Sequence, residues 1–117
     1  VNHIEPPYGE LWKIARVDTC AEPVTDEQRA QACAWLESLG IPYRDCRPEL
    51  VITANAEDKR LLLHLTRMVK DNAGGLVVDY ALNQISCVPL VVQITDYPAW
   101  LVQASHIQDQ ATKGEKP

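Results

Sequence analysis

A chain of 117 residues with 46% hydrophobic residues and a net charge of -5 has the size and composition of one globular domain, long enough to bury about two-thirds of its unfolded surface. Sixteen acidic against eleven basic residues exclude the broad cationic surface on which sequence-independent nucleic-acid binding depends, since that binding rests on many Lys or Arg contacts to phosphate. No apolar run reaches the ~20 residues of a membrane span and no signal-peptide core is present, so the expectation is a cytoplasmic protein without membrane contact.

Cysteine and histidine usage gives no metal pattern. Cys20, Cys33 and Cys46 are spaced thirteen residues apart, and Cys87 stands alone; none forms a C-x-x-C pair. His3, His64 and His106 are too scattered for a ligand set, so neither a metal nor another cofactor is expected. A domain with this much core needs no disulfide framework, and reduced thiols fit a reducing cytoplasm. Cys33 falls on an apolar helix stripe, where a thiol behaves as a small hydrophobe.

In chain order, residues 1–9 contain Pro6-Pro7 and read as an extended arm. Leu11 to Val17 reads as a strand, followed by a loop at Asp18 to Pro23. Thr25 and Gln28 have capping-box spacing and open a helix whose apolar stripe is Ala32, Cys33, Leu36 and Leu39. Gly40 caps it, and Pro42 forbids its continuation. Leu50 to Ala54 reads as a second strand. Asn55 is then a good N-cap, with Glu57 and Asp58 in the first turn, and Leu61, Leu62, Leu65, Met68 and Val69 recur at helical spacing. These residues predict a helix from Ala56 to Asn72, closed by Gly74-Gly75. Leu76 to Leu82 reads as a strand completing a βαβ unit. After a turn at Asn83-Gln84, Val88 to Thr95 reads as a strand with Val88, Leu90, Val92 and Ile94 on one side; Pro89 suits an edge. From Asp96 to Gln110, Asp96 as N-cap and Pro98 in the first turn favour a helix with Leu101, Ala104 and Gln108 inward; a strand at Trp100 to Val102 is the alternative. Residues 112–117 form a frayed tail.

The order is β-α-β-α-β-β with a C-terminal helix. It implies an α/β or two-layer α+β domain over residues 1–117, with a mixed, partly parallel sheet and helices packed on it. No motif places the chain in a known family.

Two kinds of site follow. The face of the predicted Ala56–Asn72 helix turned from the sheet carries Arg60, Leu63, His64 and Arg67, a basic and apolar patch on an acidic molecule. It points to a non-enzymatic immunity, inhibitor or accessory protein that works by protein–protein contact and assembles as a homo-oligomer. The alternative is a small-molecule binder or small enzyme at the carboxyl ends of the strands, where parallel sheets bind ligands. Asp18, Cys20 and Asn55 would meet there, with Asp79 nearby as a second carboxylate.

Overall fold

The computed structural model describes residues 4–114, with side chains as far as Ala111. Residues 1–3 of the expected arm and residues 115–117 of the expected tail lie outside the described residues. The chain runs β1 (Leu11–Asp18), α1 (Asp26–Ser38), a single 3-10 turn, β2 (Glu49–Asn55), β3 (Leu61–Met68), β4 (Val78–Asp79), β5 (Gln84–Ile85), β6 (Cys87–Ile94) and α2 (Trp100–Gly114). It is an α+β fold with a four-stranded sheet in the order β1-β2-β3-β6 and a separate two-stranded ribbon of β4 and β5. Among the described residues every pairing is antiparallel, which corrects the expectation of a partly parallel sheet.

The largest correction concerns Ala56–Asn72. The chain reverses at Asn55 and returns as β3, paired to β2 with Ile52 opposite Leu63 and Val51 opposite His64. The Asn55 side-chain oxygen does accept from the N–H groups of Glu57 and Asp58, as an N-cap would. Here those bonds close an Asx turn, the other backbone conformation this side chain stabilises. Lys59 takes a left-handed φ of 64°, and the Asn55 N–H reaches the Arg60 carbonyl at 2.8 Å, starting the ladder. The run Leu61-Leu62-Leu63-His64-Leu65 is apolar on both sides because β3 is an inner strand covered on both faces. Such a run matches helical spacing without being helical. Gly74-Gly75 caps no helix: the Asp71 carboxylate accepts from the Ala73 and Gly75 N–H groups in a loop that leads into the ribbon.

The two helices are built as their sequences imply. Thr25 and Gln28 form the reciprocal capping box of α1. At the other end Ile41 N–H reaches the Leu36 carbonyl and Gly40 N–H the Glu37 carbonyl, with Gly40 at φ 74°, the left-handed closure that glycine favours. α2 spans Trp100–Gly114, which resolves the Asp96–Gln110 ambiguity in favour of a helix and carries Thr112 to Gly114 within it.

The principal core lies between the helices and one sheet face. Val17, Leu50, Ile52, Leu63, Leu65, Leu90, Val92 and Ile94 meet Leu36, Leu101 and Ala104 there. At about 25 cal/mol per Å2 of apolar area, each large side chain buried in this layer contributes roughly 1.5–3 kcal/mol. α2 lies along the outer edge of β1. Its Ser105 Oγ accepts from the Arg16 N–H at 2.9 Å, and Gln108 Oε1 accepts from the Asp18 N–H at 2.9 Å. The Gln108 amide also donates to the Asp18 carbonyl.

The opposite sheet face is covered by residues 4–10. Ile4 N–H donates to the Val91 carbonyl at β6. The arm then crosses β3, where the Tyr8 ring meets the His64 ring edge-on at 5.9 Å between centroids. Asn55 Nδ2 donates to the Tyr8 carbonyl, and Ala56 N–H to the Glu10 carbonyl. Leu62, Thr53 and Val91 on this face are buried.

Candidate functional site

The residues expected on a helix face are dispersed by β3. Arg60 sits in the β2–β3 turn, its Nε 2.8 Å from the Asp58 carboxylate. Leu63, expected to be a surface contact, has 0% exposure in the core. Alternation along a strand explains this: Leu63 faces the helices, while His64 points to the other side, beneath the arm. His64 Nε2 lies 2.8 Å from Thr53 Oγ1, and burial holds the imidazole pKa below its ordinary 6.5. Arg67 alone of the four is exposed beyond the turn, near the end of β3.

The strand-end residues do not converge either. Because β1 and β2 run antiparallel, Asp18 lies opposite Glu49 and Asn55 opposite Leu11. Glu49 and Asn55 are six residue steps apart on β2, roughly 20 Å at the strand rise. The Asp18 carboxylate accepts from the Cys20 N–H at 2.9 Å, and Asn55 is committed to its turn and to Tyr8. Asp79 lies in the ribbon, accepting from the Ala81 and Leu82 N–H groups.

Two regions carry the remaining chemistry. The first is the ribbon inserted between β3 and β6. It is tied to the residue after β3 through Val69 N–H to the Ser86 carbonyl and Val77 N–H to the Val69 carbonyl, and its own two arms are joined by Ser86 N–H to the Val77 carbonyl. Beyond these bonds it exposes Leu76, Val78, Tyr80 and Leu82, with Val88 beside it on β6. Tyr80 is 87% and Leu82 65% exposed. A cleft of about 630 Å3 opens between the ribbon and the sheet, lined by Arg47, Thr66, Asp79, Gln84, Ser86 and Cys87 among others. A second depression, on Arg67, Met68, Lys70 and Val88, adjoins the ribbon base. There Lys70 Nζ is 2.6 Å from Asp45, and this hydrogen bond holds the Asp45 carboxyl below the usual carboxylate range. Among the described residues Arg47 and Arg67 form no ion pair within 4.0 Å.

The second region is a depression of about 220 Å3 where α1, the end of β1 and the entry to β2 meet; Cys20, Cys33 and Cys46 all line it. No group of three or more His, Cys, Asp or Glu side chains among the described residues is placed to hold a metal ion.

The exposed ribbon is the feature that sequence reasoning missed. Its signal was present: Leu76, Val77, Val78, Tyr80, Ala81 and Leu82 make a nearly continuous apolar run interrupted by Asp79. With Val77 and Ala81 also apolar, the stretch reads as a strand of the main sheet, and nothing local distinguishes such a strand from one left uncovered. No described helix is long and apolar enough to cross a membrane. Compared with known proteins, the chain matches no family model, no curated protein and no solved structure.

Proposed function

We propose that the chain acts through protein–protein contact, as a non-enzymatic accessory, inhibitor or immunity type of protein, and that the β4–β5 ribbon is the contact element. One observation carries this reading: Leu76, Val78, Tyr80, Leu82 and Val88 are all exposed on one short stretch and its flank. Single exposed apolar side chains are ordinary, but a contiguous group of them marks an interaction surface. Tyrosine at its tip adds a side chain that anchors interfaces at small entropic cost. The partner taken first is a second copy of the chain, giving a homo-oligomer. A cytoplasmic location goes with this reading, supported by four cysteines that are all free.

Sedimentation equilibrium over a wide concentration range tests the proposal. The expected result is self-association that the paired change Tyr80→Asp and Leu82→Asp abolishes while the circular dichroism spectrum is preserved. A wild-type chain that stays monomeric throughout would overturn the homo-oligomer.

The small-molecule reading is supported by one observation, the polar cleft beside Asp79. Asn55 takes no part in it, and Cys20 lines a different depression. A metabolite panel that raises the melting temperature of wild type but not of Asp79→Asn would favour it.

A further inference from the structure

Of the three evenly spaced cysteines only Cys20 entered the small-molecule reading, and the fold places all three on one depression. Cys20 follows β1, Cys33 lies on α1 and Cys46 follows the 3-10 turn; all three line the same depression, with Leu36 and Leu65 among its apolar walls. Their accessibilities are graded. Cys20 is exposed, whereas Cys33 and Cys46 are partly covered. The Cys46 thiol donates to the Pro42 carbonyl at 3.5 Å, and burial pushes its pKa up, so it is the poorer first nucleophile. Arg29 and Arg47 line the same depression, Arg47 lying between it and the ribbon cleft, which it also lines. Arg29 is engaged, donating to the Thr19 carbonyl and to Asp26. Arg47 is held by its backbone N–H to the Thr66 carbonyl, and its side chain has no carboxylate partner among the described residues.

We propose that this depression is a site of thiol–disulfide exchange with a small anionic disulfide: Cys20 is the entry thiol, an inner cysteine resolves the adduct, and Arg47 recognises the anion. The Cys20 thiolate attacks one sulfur of the disulfide, forming a mixed disulfide and expelling one thiolate. Cys33 or Cys46 then loses its proton to water and attacks the Cys20 sulfur, forming an internal disulfide and expelling the second thiolate. Two protein thiols are oxidised, one small disulfide is reduced to two thiolates, and two protons are released.

Ellman's reagent, a dicarboxylate disulfide, is a suitable probe on the full reduced chain, with one equivalent added. The expected result is release of two thionitrobenzoate ions per chain oxidised. Peptide mapping without reduction should then join the Cys20 peptide to that of Cys33 or Cys46. Cys20→Ser should lose the fast phase, and Arg47→Gln should slow it several-fold with this probe but not with the uncharged 2-hydroxyethyl disulfide. Cys87 lies outside the depression, donating to the Ile85 carbonyl, and serves as the reference for the Cys20 rate; because Arg47 also lines the cleft that holds Cys87, the Arg47→Gln comparison is made in a Cys87→Ser background. Reaction at Cys87 as fast as at Cys20, a Cys20 adduct that persists, or equal rates with and without Arg47→Gln would each overturn the proposal. Circular dichroism shows that a slowed variant is folded, so loss of structure is not mistaken for loss of recognition.

Discussion

Replacing Leu63 by alanine separates the strand from a helix more sharply than any other single change. In the fold Leu63 has no exposed surface and sits opposite Ile52 and Val92 in the centre of the sheet. The change removes three carbon groups, about 2.4 kcal/mol at ~0.8 kcal/mol each. The space they leave in an inner strand cannot collapse fully, and the cavity term brings the expected loss to about 3–4 kcal/mol, within the range of buried leucine truncations. Against a total stability of roughly 5–15 kcal/mol, that is a large fraction. Urea denaturation followed by tryptophan fluorescence should show the midpoint falling with an unchanged slope, and thermal melting should shift by about 12–16 °C for a chain of this size. Leu82→Ala, at a position 65% exposed, is the control, expected within about 0.5 kcal/mol of wild type. A Leu63→Ala loss below about 1 kcal/mol would refute the placement, because that is the behaviour of a residue facing solvent.

Further outcomes follow from other contacts. Burial lowers the His64 pKa below 6.5, so the unfolded chain binds the proton more readily. The stabilisation is present above pH 6.5 and is lost as pH falls from there through the folded value; urea titrations should show this slope in wild type and a flatter one in His64→Gln. Gln108→Ala removes the acceptor for the Asp18 N–H and the donor to its carbonyl, which should cost about 1–3 kcal/mol and speed amide exchange at Asp18. Asn55→Ala breaks bonds to Glu57, Asp58 and Tyr8 and should cost a similar ~1–3 kcal/mol. Its distinguishing mark is accelerated proteolysis of residues 4–10.

What the sequence disclosed depended on whether the deciding physics was local. The α1 boundaries were legible because Thr25, Gln28 and Gly40 set them through bonds within a few residues. β6 was legible because Leu90, Val92 and Ile94 alternate against one core, although Val88, on the same alternation, is left exposed. β3 was not, since Leu61 to Leu65 owes its apolar character to layers contributed by distant segments, α1 on one side and the arm on the other. Asn55 supplied the same side-chain bonds to a turn that it would have supplied to a helix. The candidate site was less legible still. Asp18 and Asn55 were paired on the assumption of parallel strands, and antiparallel pairing sends them to opposite ends of β2. Cys20, Cys33 and Cys46 line one depression only because the α1 connection returns the chain alongside β1.

The way α2 and the arm sit on the sheet sets an order of events during synthesis. The outer edge of β1 is satisfied by residues about ninety positions later, Ser105 and Gln108, while β6 receives Ile4 from near the start of the chain. A ribosome that has released the chain only as far as β6 has therefore produced every strand, yet β1 still presents unbonded N–H groups along one side. Such a side can recruit a strand from a neighbouring nascent chain on the same message. The period before Ser105 and Gln108 reach β1 is then the one of greatest exposure to misassembly. Replacing both, Ser105→Ala with Gln108→Ala, removes the groups that close this side and should lower the soluble yield.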